Sequence, residues 1–112
     1  MPLRPGMITY EVTATVRADL CERYERFMRE RHIPELLETG AFAAATLSRS
    51  EPGRFRLRYE AYGGDALARY LAEHAPRLRR DVLEHFPEGV ELSREEWTVI
   101  ASWSAGSGER PA

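Results

Sequence analysis

Two histidines stand in the same short pattern. His32-Ile33-Pro34-Glu35-Leu36 and His74-Ala75-Pro76-Arg77-Leu78 both read His-x-Pro-x-Leu, 42 residues apart. An imidazole titrates near neutral pH, so either ring is a candidate general base. Phe27 and Tyr70 stand about one turn upstream of the two motifs, and Tyr10 and Tyr59 lie on alternating segments. Tyr10, Phe27, His32, Tyr59, Tyr70 and His74 are therefore the candidate lining of a small-ligand pocket, with Tyr10 and Tyr59 orienting a substrate. The opposing reading is structural. Each imidazole would end a helix broken by the next proline, donate to exposed carbonyls and, when charged, sit against the negative dipole end. Duplication favours that reading, because a reaction centre rarely needs one group at two equivalent positions.

Other chemistries have less behind them. His32 and Glu35 are three apart, but Pro34 interrupts the turn between them; His74 and His85 are 11 apart with no cysteine partner. None of this is zinc-ligand spacing, so no metal is expected. Cys21 falls at the start of a helix, where amide dipoles lower a thiol pKa, yet an inert thiol is the simpler expectation. As the sole cysteine it forms no internal disulfide, which fits a reducing compartment. No nucleophile elbow or P-loop occurs, and Gly63-Gly64 reads as a strand-to-helix turn. No cofactor is expected.

Composition bounds the rest. The 112 residues make one domain, expected over 7–103, with flexible tails at 1–6 and 104–112. Apolar residues make up 43% and charged residues 30%, with net charge -2, so no basic field recruits nucleic acid or an anionic membrane. All 16 basic residues are arginine, which genome composition explains most simply. No apolar run approaches the ~20 residues of a membrane span, and no secretory leader is visible. A soluble cytoplasmic protein is the expectation.

The elements that position these residues follow from periodicity. Residues 7–16 alternate, with Ile8, Tyr10, Val12, Ala14 and Val16 on one face. Asp19 and Glu22 resemble a capping box that opens a helix with the stripe Leu20, Tyr24, Phe27 and Met28. Pro34 should break or kink it, and Gly40 should end it. Residues 42–49 form a weak, alanine-rich strand, Glu51-Pro52-Gly53 a turn, and residues 54–62 a second alternating strand. Asp65 should cap a helix that breaks near Pro76 and continues to Phe86. Residues 90–103 complete the pattern, with Trp97, Val99, Ala101 and Trp103 on one face.

This order, β-α-β-β-α-β, predicts the ferredoxin-like α+β fold: a four-stranded antiparallel sheet with two helices on one face. Tyr10, Val12, Phe55, Leu57 and Tyr59 would lie under the helices. Glu11, Thr13, Thr15, Arg56, Arg58 and Glu60 would cover the bare face. The same order builds an RNA-binding module that stacks bases on bare-face aromatics, but this parity hides Phe55 and Tyr59, so nucleic acid is not expected. A glycine-rich phosphate loop, as acylphosphatase needs, is absent from Arg17-Ala18-Asp19. The mixed charge of the bare face and the tryptophan-bearing last strand point to a homodimer, with Glu11 and Glu60 of one sheet meeting Arg56 and Arg58 of another.

The sequence also resembles the bacterial domain-of-unknown-function family 4286, whose members are similar to dimeric α/β barrels. The resemblance spans about residues 7–101. It is carried by Tyr10-x-Val12, by Phe27-Met28-x-x-x-His32-Ile33-Pro34-Glu35-x-Leu37-x-Thr39-Gly40-x-Phe42, by Tyr59-Glu60-Ala61, by Tyr70-Leu71-x-x-His74-Ala75-Pro76-x-Leu78-Arg79, and by Phe86. The family carries tryptophan where Tyr24 and Phe27 stand and often histidine where Val82 stands, so this chain lacks one polar group there. The resemblance implies the fold and a homodimer, and no reaction. Two functions are expected from the residues: a small-ligand-binding or structural dimer, or a cofactor-independent enzyme, monooxygenase- or isomerase-like, acting on a small aromatic or carbonyl compound with His32 or His74 as base.

Overall fold

A computed structural model describes residues 5–105 of the chain. The expected tails lie mostly outside the described residues. Four strands, β1 (Ile8–Val16), β2 (Phe42–Glu51), β3 (Arg54–Ala61) and β4 (Val90–Thr98), form one antiparallel sheet in the order β2-β3-β1-β4. That is the strand order of the ferredoxin-like fold. The parity of the two middle strands sets everything above it. Tyr10 pairs with Tyr59, Val12 with Leu57 and Ala14 with Phe55. Tyr10, Ala14, Phe55, Leu57 and Tyr59 are buried under the helices. Their alternate neighbours Glu11, Thr13, Arg56 and Arg58 occupy the other face. Phe55 and Tyr59 thus give the open face no aromatic platform for a nucleic-acid base.

The helical layer differs from the expected two-helix arrangement. After a 3-10 turn at Ala18–Leu20, α1 (Cys21–Phe27) runs through one π turn (Met28–His32) into α2 (Ile33–Glu38) without leaving helical geometry. Pro34 therefore does not break this helix. Proline has no N–H for the carbonyl four residues back, and its ring crowds that oxygen. The wider turn absorbs the mismatch: Ile33 keeps helical φ -64 and ψ -46 and donates to the Met28 carbonyl, five residues back. The second crossover does break, into α3 (Gly64–Glu73) and α4 (Ala75–His85). The break falls at His74, with φ -120 and ψ -37, and Pro76 sits in the first turn of α4, where its missing N–H costs nothing. Three helical rods therefore cover the sheet.

Two expected caps are also corrected. Asp19 makes no cap bond; its carboxylate takes the Arg17 guanidinium at 2.6 Å. The N-cap of α3 is Gly63, and Asp65 lies in its first turn without a capping bond. Among the described residues no helix is long and apolar enough to cross a membrane.

β4 is shorter than the expected 90–103. Its ladder to β1 ends where β1 begins, extended by the Val99 N–H to the Met7 carbonyl and the Gly6 N–H to the Val99 carbonyl, both 2.8 Å. As an edge strand it has no second neighbour, so Ile100 and Trp103 leave the sheet, each 87% exposed.

The core is aromatic. Tyr24 packs on Phe55 and Phe86, with ring centres 5.3 and 5.5 Å apart; Phe42 packs on Tyr70 at 5.0 Å. Each such burial is worth about 1.5–3 kcal/mol. The β2–β3 turn abuts the end of β1, where the Val16 N–H donates to the Gly53 carbonyl at 2.7 Å. Gly53 has φ +86, and a Cβ there would lie 2.8 Å from the Val16 carbonyl oxygen. Both strain and contact forbid a side chain. Gly53→Ala should therefore cost about 1–3 kcal/mol in urea unfolding; a loss below about 0.5 kcal/mol would contradict this packing.

Candidate functional site

Between the sheet and the helices lies a small cavity of about 30 Å³. That is room for about two waters. Each layer contributes to its wall. β1 and β3 supply Tyr10, Val12, Leu57 and Tyr59; the first crossover supplies Tyr24, Met28, His32 and Leu36; α3 and α4 supply Tyr70, Arg79 and Val82; β4 supplies Leu92 and Arg94.

Four of the six expected pocket residues meet here: Tyr10, His32, Tyr59 and Tyr70. Phe27 and His74 do not. Phe27 packs beside the cavity within the buried core, its ring 4.6 Å from His85 and 5.5 Å from Phe86. His74 is the joint between α3 and α4: its N–H donates to the Tyr70 carbonyl at 2.9 Å and its carbonyl accepts from Leu78 at 3.1 Å. Its main chain therefore closes one helix and starts the next. The two His-x-Pro motifs look alike in sequence and sit in unlike surroundings.

His32 does not cap a helix end. It lies in the π turn, and its Nδ1 is buried without a hydrogen-bond partner among the described residues. The turn is clamped from outside. Neighbouring Arg31 grips Asp81 of α4 through two bonds, Nε to Oδ2 at 3.0 Å and Nη2 to Oδ1 at 2.9 Å. This bidentate pair ties the π turn to α4 and fixes the backbone that carries His32. The hydroxyl of Tyr59, whose residue is 1% exposed, is likewise buried and unpartnered. Tyr10 is satisfied: Arg79 Nη2 donates to its hydroxyl at 2.9 Å.

Burial pushes the His32 imidazole down to about 4; the Asp81 carboxylate opposes the shift, and the Arg94 guanidinium adds to it. Burial pushes the hydroxyls of Tyr24, Tyr59 and Tyr70 up. Near neutral pH the cavity therefore presents an uncharged imidazole, able to accept a proton, and protonated phenols able to donate hydrogen bonds. An unsatisfied buried polar group costs about 1–3 kcal/mol, and two of them line this one cavity.

Arg79 and Arg94 were not among the expected site residues. Arg94 was legible in principle: it stands opposite Val12 in the ladder, so strand parity turns it towards the helices, where a charge needs a reason. Arg79 had no comparable signal, because its role depends on how α4 leaves the break at His74. Among the described residues, no three His, Cys, Asp or Glu side chains gather as a metal site would require.

The chain belongs to the family defined as a domain of unknown function (DUF4286), which matches residues 7–100. No curated protein matches the sequence significantly. Solved structures share the fold. SnoaB, a cofactor-independent oxygenase from Streptomyces nogalater, is 17% identical with a TM-score of 0.66, over 86% of this chain and 95% of that one. An antibiotic biosynthesis monooxygenase is 16% identical with a TM-score of 0.63, over 84% and 99%. A conserved protein of unknown function from Bacteroides thetaiotaomicron is 16% identical with a TM-score of 0.66, over 86% and 100%. At this identity the likeness is one of fold.

The His32 shift fixes a pH dependence. Its folded value lies below the ordinary 6.5, so between pH 6.5 and about 4 the unfolded chain binds a proton that the folded chain refuses. Stability from this group is full above pH 6.5 and falls as pH drops towards 4, by up to about 3 kcal/mol. His32→Leu should flatten that part of the urea-unfolding profile. An NMR titration of the His32 ring with a midpoint near 6.5 would contradict the burial assigned to it.

Proposed function

We propose that the protein binds a small planar aromatic or carbonyl compound in the cavity beneath its helices. The observation that carries this reading is the pair of orphaned buried groups, His32 Nδ1 and the Tyr59 hydroxyl, on the wall of one cavity. Aromatic and aliphatic side chains supply the apolar walls, and the few polar atoms set orientation, which is the usual make-up of a small-molecule site. A second reading adds catalysis. His32, uncharged at physiological pH, takes a proton from an acidic carbon of the bound compound and leaves an enolate that the phenols stabilise. Returning the proton to another carbon completes an isomerisation; alternatively the enolate carbon bonds to dioxygen, the peroxide anion so formed takes the proton back from His32, and cleavage of the O–O and remaining C–H bonds releases water and leaves a new carbonyl. The fold shared with SnoaB supports this reading by analogy alone.

The two orphaned groups separate stability from binding. Tyr59→Phe removes an unsatisfied hydroxyl and keeps the ring, so the variant should be about 1 kcal/mol more stable in urea. It should also bind small phenols and aryl ketones, probed with 1-naphthol and acetophenone, about five- to tenfold more weakly by calorimetry. A destabilised variant with unchanged affinity would remove the observation on which the reading stands.

The open sheet face belongs to the same proposal as the surface of a homodimer. Arg54, Arg56 and Arg58 form a basic stripe along β3, while Glu11 on β1 and Glu91 and Glu95 on β4 form an acidic stripe beside it. A twofold axis through the sheet lays each stripe on its opposite, with Glu60 at the margin. Thr9 is already 2% exposed on this face, and Trp97, in the same row, remains 51% exposed and gains most from a cover. Sedimentation should give twice the 12.8 kDa chain mass at micromolar concentration. Joint Arg56→Glu and Arg58→Glu changes should yield the monomer. A monomeric wild-type protein would end the dimer proposal.

A further inference from the structure

Resting on the small-ligand reading, we infer that the cavity takes an anion, a small aromatic carboxylate or a comparably placed enolate, held at its rim by Arg94 and Arg79. Among the described residues, the cavity wall contains two guanidiniums and not one carboxylate. Among the described residues, neither Arg79 nor Arg94 forms an ion pair; the recorded partner of Arg79 is the Tyr10 hydroxyl. Two acidic groups stand nearby, Asp81 and Glu96. Asp81 is felt at His32, but Arg31 holds it through both oxygens. Glu96 shares the strand face of Arg94, opposite Tyr10, and is not part of the cavity wall.

Two cations on an otherwise aromatic and aliphatic wall favour a negative guest, and because both residues are exposed that preference is sensitive to salt. A guanidinium fork matches a carboxylate with two parallel bonds. The Tyr10 hydroxyl oxygen accepts from Arg79, which leaves its own O–H free to donate to the same guest. Deeper in the cavity Tyr59 offers a second hydroxyl and His32 an uncharged ring nitrogen. The resting cavity is smaller than a benzene ring needs. Arg79 and Arg94, both long and exposed, line it, and the inferred binding includes their displacement to admit the ring.

Benzoate and benzamide test this directly, since they share shape and differ in charge. In calorimetry on the wild-type protein at pH 7 and low salt, benzoate should bind at least tenfold tighter than benzamide, with the preference shrinking as salt is added. Arg94→Gln should bring the two within about twofold, and Arg94→Lys should restore part of the preference. Equal binding of both probes, or an unchanged preference in Arg94→Gln, overturns the anion inference and leaves the small-ligand reading standing. Binding of neither probe, with the cavity tyrosine ring signals unmoved in NMR, defeats both.

Discussion

The structure depends on the pairing of β1 with β3 in one register. Tyr10 faces Tyr59 and Val12 faces Leu57, so one side of the two middle strands is hydrophobic and aromatic. A slip of β3 by one residue against β1 would send Arg54, Arg56 and Arg58 under the helices and Phe55, Leu57 and Tyr59 into water. The cost of burying those charges unpaired holds the register as firmly as the gain from burying the rings. The same choice determines both surfaces. The inner one becomes the floor of a cavity, and the outer one carries parallel basic and acidic stripes.

On that floor the first crossover does something a plain helix would not. Pro34 disturbs the helical bonding upstream of itself, and the chain answers with a single π turn. That turn presents His32 to the cavity with no partner for Nδ1 among the described residues, while Arg31 on the adjoining position clamps Asp81. Departures from α-helical bonding often accompany functional sites, and here the departure delivers the one imidazole that lines the cavity. The second crossover meets its own proline differently. It breaks at His74, and the imidazole at that joint is half-buried beside Tyr70, away from the cavity.

Much of the fold was legible because alternation is a strong local signal. Strand parity, element order and the turn at Gly53 all follow from residue types a few positions apart. The helix count was not legible. A proline shows that a hydrogen bond must be lost, but whether the helix breaks or widens depends on what packs against it; here Asp81 on α4 supplies the hold at the π turn. The end of β4 was hidden for a similar reason, since a strand continues only where its neighbour does. The site was half legible. Tyr10, His32, Tyr59 and Tyr70 converge, whereas Phe27 belongs to the core beside the cavity and His74 to a joint. The two motif copies could not be told apart, because their difference lies in the turn geometry before each proline. The arginines escaped notice because arginine is the only basic residue in this chain and so carries little signal by type alone.

The central claim is that the interior beneath the helices is an unfinished polar site rather than a packing defect. Electron density at atomic resolution reads this most directly, in crystals of the purified protein without added ligand. Density for an ordered water or a retained small molecule is expected within hydrogen-bond distance of His32 Nδ1 or of the Tyr59 hydroxyl. A His32 ring turned to bond the protein itself, a Tyr59 hydroxyl satisfied by a neighbouring side chain, and a closed interior between them would contradict it.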